Sequence, residues 1–167
     1  MFVLLTLFAT SISAQKKPVR KSTVKKTTAV KTTIPPLDVR AAREKVNIQL
    51  SDLNAFIDKL GLVAQNLETA NADAKAGKLS PKTAASVEAN KARLVEAIRN
   101  HKAPLLSLET EFRTKIVLQK YLPGIQGISD VMVDAEDLAL AGKFVACKNP
   151  LRRAAQKLMD TLAVLPK

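Results

Sequence analysis

From Leu37 onward, apolar residues recur at helical spacing. Val46, Leu50, Leu53, Ile57, Leu60, Ala64 and Leu67 follow one another at steps of four and three, the seam a helix presents to partner helices in a coiled coil or bundle. Pro35-Pro36 stop anything before this run, and Asp38 is a suitable N-cap. The pattern fades through Asn71 and Asp73 towards Gly77, a suitable C-terminal cap. Gly61 lies inside the run and is a point where the first helix could kink.

Ser80-Pro81 announces a second helix, with a hydroxyl for the N-cap and then Pro where its missing N–H costs nothing. The link from Gly77 is so short that this helix must turn back along the first. Its seam runs through Val87, Leu94, Ile98, His101, Leu105, Leu108 and Phe112. From Leu94 onward the register crosses Pro104 without slipping, which predicts one long helix kinked at that proline. It should end near Tyr121, before Leu122-Pro123-Gly124. A third helix is expected to carry Ile125, Ile128, Met132, Ala135, Leu138 and Val145. Asn149-Pro150 repeats the cap-then-proline signal and should open a final helix with Leu151, Ala155, Leu158, Leu162 and Leu165.

The expected fold is therefore all-α: an antiparallel bundle of about four helices, two long and two shorter, over residues 37–167. A long pair that outruns the short one must either project or fold back at a kink. A projecting pair would expose apolar seam and so ask for a protein partner or a second copy of the chain. Composition agrees with this reading. A length of 167 residues fits one domain, and the 47% apolar content with only 4% aromatics and no Trp points to an aliphatic core. Five glycines are too few for the turns of a sandwich or barrel.

The first residues change the picture of where the protein works. The apolar run Phe2 to Ala9 is far shorter than the roughly 20 residues that cross a bilayer as a helix. Small and polar residues follow it up to Ala14-Gln15. Residues 1–14 are thus expected to be a signal peptide cut after Ala14, leaving a periplasmic or secreted protein with no membrane span in the mature chain. Ile12 is a poor residue so close to the cut, and the usual basic residues at the start are missing. With no Cys near the cut, a lipid-modified N-terminus is not expected. The one cysteine, Cys147, allows no internal disulfide, so packing alone must stabilise the domain. A buried, inert thiol is the expected state, with pairing between two chains as the alternative.

Residues 15–36 read QKKPVRKSTVKKTTAVKTTIPP and form a linker rich in Lys, Thr and Pro. They hold Lys16, Lys17, Arg20, Lys21, Lys25, Lys26 and Lys31 and no acidic residue. Self-repulsion and scant apolar surface predict disorder. With these seven set aside from the 27 basic residues, 20 remain against 15 acidic ones, so the net charge falls from +12 to +5. The seven cations could hold the protein at an anionic envelope surface or polymer, at about 1 kcal/mol each near such a surface. The alternative is a soluble spacer. No aromatics interleave with the cations to stack on bases, which argues against nucleic acid as partner.

Little remains that could carry chemistry. His101 is the sole histidine, and neither a Cys-x-x-Cys-His nor a Glu-x-x-His motif occurs, so covalent haem and di-iron sites lack their ligands. A noncovalent haem or small ligand held by His101 with Met132 or Met159 is the one cofactor arrangement left. The competing expectation places His101 beside the Pro104 kink, bonded to a carbonyl freed there, such as that of Asn100. Asp130, Asp134 and Asp137 share one helix face, with Glu136 beside them. Lacking the glycine and spaced oxygens of a calcium loop, they read as a solvated face opposite Arg152 and Arg153. No nucleophile elbow, triad or phosphate loop is present, so neither an enzyme nor a bound metal or cofactor is expected. The sequence points to an exported, noncatalytic helical bundle that acts through protein contacts. Envelope or polymer binding through the tail is the first alternative, and a haem or small-ligand carrier the second.

Overall fold

In a computed structural model, which describes residues Pro35–Lys167, every regular element is helical. The signal segment and the seven tail cations lie outside the described residues. Two long helices come first, α1 (Leu37–Lys75) and α2 (Pro81–Thr114). Two single-turn helices follow, α3 (Ile116–Gln119) and α4 (Leu122–Ile125), and then α5 (Ile128–Leu140) and α6 (Phe144–Val164). Helix α1 packs on α2 and α6, and α5 packs on the same two, so the four longer helices close a ring. None of the described helices is long and apolar enough to cross a membrane.

Pairs of contacts pin each neighbouring helix as antiparallel. Lys45 bonds Glu111 while Phe56 stacks on His101. Arg43 donates to the Leu165 carbonyl while the amide of Val145 donates to Glu68. Glu109 meets Ser129 while Arg99 meets Glu136. Asp134 pairs with Arg153, and the carbonyl of Gln126 accepts from Lys157. The core between the four helices is largely aliphatic, with Leu53, Leu60, Ile98, Leu105, Leu151 and Leu158 sealed from solvent. Phe112 and Phe144 are its two fully buried aromatics.

Both long helices follow their seams. Val46, Leu53, Ile57, Leu60 and Ala64 are buried and Leu50 and Leu67 pack against them, while Val87, Ile98, Leu105, Leu108 and Phe112 are buried on α2. Helix α2 continues through Pro104, and α1 runs unbroken through Gly61. Ser80 caps α2 as expected, its hydroxyl accepting from the Thr83 amide at 3.2 Å. At the end of α1 the amides of Gly77 and Lys78 donate to the carbonyls of Ala74 and Asp73, a Schellman cap with Gly77 at φ 69°.

Four local expectations are corrected. Helix α1 is capped by Pro36, whose carbonyl accepts from Val39 and Arg40; Asp38 lies inside the first turn and pairs with Lys115 instead. Helix α2 stops at Thr114, not near Tyr121: Lys115 turns extended and its ammonium bridges Asp38 at the start of α1. The extended backbone at Lys115 lets Leu118 turn into the core. The expected third helix is α5, which carries neither Ile125, placed in α4, nor Val145: it ends at Leu140, where Gly142 (φ 78°) builds a second Schellman cap with Lys143 donating to Leu138. Helix α6 then starts at Phe144, so Asn149-Pro150 does not open it; Pro150 sits buried in its interior.

Candidate functional site

Two separate cavities lie between α1 and α2, together called the groove. A small one of about 170 Å³ is lined by Lys45, Gln49, Pro104, Ser107, Leu108 and Glu111. Between the two in sequence, the half-buried rings of Phe56 and His101 stack with centroids 4.9 Å apart and planes tilted by 42°. Towards the hairpin lies the larger cavity, of about 460 Å³. Helix α1 lines it with Val63, Asn66, Leu67 and Ala70, and α2 with Val87, Asn90 and Leu94. None of these seven residues is ionisable, in a chain where 25% of residues are charged. Val63, one of its α1 residues, is 51% exposed.

The opposite flank of α2 differs in chemistry. Helix α5 has 13 residues against 34 in α2, or about 20 Å against about 50 Å at 1.5 Å per residue. Beyond Leu140 the first turns of α2 therefore have no α5 neighbour. The hollow left there, about 670 Å³, is lined by charged Glu88, Lys91, Arg93, Glu96 and Arg99 around Val95 and Leu140. Lys91 reaches Glu88 at 3.9 Å, and Arg99 and Lys102 both bond Glu136. Those two cations hold the Glu136 carboxyl below its ordinary range, Arg99 contributing most.

The residues singled out from sequence are not brought together into one site. The tail cations, Lys16 to Lys31, lie outside the described residues. Of the two methionines offered as alternative partners of His101, Met132 is sealed in the core and Met159 is 44% exposed on α6. The His101 ring packs on Phe56, and the expected bond to the Asn100 carbonyl is not formed. Burial lowers its pKa below the usual histidine value, partly opposed by the Asp52 carboxylate. Cys147 is buried; its thiol donates to the Ala135 carbonyl at 3.2 Å, and burial pushes its pKa up to about 11. That is a poor nucleophile at neutral pH. Asp134 pairs with Arg153 at 2.8 Å, and Asp130 and Asp137 are exposed, as a solvated face requires. Among the described residues no group of His, Cys, Asp and Glu is placed to hold a metal ion.

Two sets of residues escaped the sequence reading. Glu109, 5% exposed, accepts from the amides of Gly127 and Ser129 and from the Ser129 hydroxyl, and pairs with Arg113. Burial alone would raise its pKa, but these donors outweigh it and hold the carboxyl below its ordinary range. A residue from α2 thus caps the start of α5, a link across 20 positions that no local pattern reveals. The groove residues did leave a signal. On α1, Phe56, Val63 and Ala70 repeat at seven outside the expected seam, whereas Val87, Leu94, His101 and Leu108 on α2 already belong to the expected one.

No family model matches the chain, and no curated protein or solved structure resembles it. The groove must be interpreted from its own chemistry. The hairpin-end cavity offers apolar walls and two carboxamides, Asn66 on α1 and Asn90 on α2, which suits a row of apolar side chains.

Proposed function

We propose that this is an exported, noncatalytic helical-bundle protein of the periplasm or extracellular space that acts through protein contacts. The observation that carries the reading is the uncharged cavity between α1 and α2, lined by half-exposed Val63. Exposed apolar surface of this kind, rimmed by polar residues, marks protein interaction sites. The signal-like residues 1–14 support export. Val63→Lys tests the contact surface: it sets a cation on an exposed helical position without touching the core. The variant should melt with the wild type yet lose the partners that wild-type protein captures by cross-linking in its native envelope. Equal capture by both proteins would remove the groove from the argument.

A second reading is favoured by the seven cations of residues 15–36. In it, the tail holds the protein at an anionic envelope polymer or lipid surface, and the bundle is cargo. Binding to anionic vesicles that weakens with salt and disappears on deletion of residues 15–36 belongs to this reading alone.

A further inference from the structure

We propose that the end of the bundle where α1 begins inserts apolar side chains into an anionic lipid surface, and that the basic tail and this end bind that surface together. The proposal rests on the second reading above and departs from it in one respect: the bundle is more than cargo. Three observations converge on this end. The first is exposed apolar surface. Ile116 is 83% exposed, more than any other large apolar side chain among the described residues, and Leu37 at 74% and Val117 at 40% accompany it. Helix α3 buries Leu118 and leaves Ile116 and Val117 outside. The 2.8 Å bond from Lys115 to Asp38 ties the start of α3 to the start of α1, so these side chains belong to one end. The second is charge. From Phe112 to Ser129 the chain has no acidic residue and carries Arg113, Lys115 and Lys120. The nearby carboxylates are already paired, Asp38 and Glu111 with Lys115 and buried Glu109 with Arg113. Lys120 holds its ammonium over the half-buried Tyr121 ring, 4.9 Å from the centroid. Tyrosines and snorkelling lysines are the residues that membrane–water interfaces favour. The third is where the tail enters. Pro35-Pro36 lead directly into Leu37, so the seven cations of residues 15–36 join the fold at this end. Stable attachment to a membrane takes two signals, such as an apolar anchor and a basic cluster. Cations alone suit a polymer as well as a lipid; exposed leucine, isoleucine and valine suit a lipid, whose acyl chains can cover them.

The chain has no tryptophan, so one placed at a chosen position reports on that position alone. The test uses the full exported chain and vesicles of phosphatidylcholine with and without phosphatidylglycerol. Emission of Ile116→Trp should shift to the blue on the phosphatidylglycerol vesicles, and brominated acyl chains should quench it. Leu62→Trp should do neither: Leu62 is 82% exposed as well, but lies roughly 35 Å along α1 from Leu37. Replacing Ile116 and Val117 together by Ser should weaken vesicle binding roughly tenfold. Its melting temperature should match wild type, because both positions are exposed. The insertion is overturned if Ile116→Trp keeps its spectrum and the serine variant binds like wild type. Vesicle binding that still vanishes on deletion of residues 15–36 then leaves the tail reading standing, with the bundle as cargo. A full chain that ignores vesicles but binds soluble polyphosphate also overturns it and assigns the tail to a polymer. Equal blue shifts at positions 116 and 62 indicate adsorption without orientation, which overturns it as well.

Discussion

The two ends of the bundle are held by different kinds of bonds. At the end where α1 begins and α6 finishes, polar side chains reach across the sequence. Arg43 donates to the carbonyls of Leu162 and Leu165, at 3.0 and 2.7 Å, closing the C-terminus of α6. Lys115 bridges Asp38 and Glu111, Glu109 caps α5, and Lys157 donates to the Gln126 carbonyl. At the hairpin end the bonds are local. Lys78 pairs with Asp73, Ser80 with Thr83 and Lys91 with Glu88, all within five residues. The one long-range polar link near it is the bond from the Val145 amide to Glu68. The hairpin end thus depends on helix propensity and one layer of packing, and the closed end on tertiary contacts. Opening free energies should follow, lowest at the hairpin. A contact surface placed there can adapt to a partner without disturbing the core.

The largest expected effect comes from the closed end. Phe112 is fully buried beneath the α3–α4 turns, so Phe112→Ala should cost about 3–5 kcal/mol in denaturant unfolding. Leu94→Ala, at a half-buried position on the groove, should cost clearly less. Equal losses would mean that the hairpin end is as tightly coupled to the core as the closed end.

Next in size is the cap on α5. Glu109→Ala leaves two amides and a hydroxyl without an acceptor in a site 5% exposed, and should cost about 2–4 kcal/mol. Its folded pKa is depressed, so its contribution is complete above the ordinary carboxylate range. The contribution is lost as pH falls from that range through the lower folded value. Acid should therefore narrow the gap between wild type and variant, a trend that melting curves from neutral pH downward would measure. A gap that stays constant with pH would show that the charge on Glu109 is not what stabilises the cap.

What the sequence revealed follows the same division. The seams of α1 and α2 were legible because burial repeats along one helix face, and Ser80-Pro81 and Gly77 were legible because their capping bonds are local. The start of α6 was not. Asn149-Pro150 and Gly142 are both strong local signals, seven residues apart, and only the packing of Phe144 and Cys147 into the core selects the glycine. The break at Lys115 and the Glu109 cap were hidden because their partners, Asp38, Gly127 and Ser129, are brought to them by the fold. The α2 wall of the groove was legible, since Val87, Leu94, His101 and Leu108 belong to the seam; Phe56, Val63 and Ala70 on α1 were not, because they lie beside the stripe that burial repeats.

The smallest effect sharpens the comparison most directly, because Gly61 lies in the half of α1 that leads to the hairpin. It is exposed, lies in the middle of α1, and a methyl group added there meets nothing within 4 Å. Glycine in a helix interior costs roughly 0.5–1 kcal/mol relative to alanine, largely through the freedom it gives the unfolded chain. Gly61→Ala should therefore stabilise the protein by about that amount. If the hairpin end opens on its own, the gain will concentrate there: amide exchange should slow from Leu62 to Lys75 and along the first turns of α2, with the closed end changing less. An even slowing across all helices would show that the two ends unfold as one unit. A loss of stability would show that α1 needs the glycine to bend at this point, and the straight, independent hairpin would have to be given up.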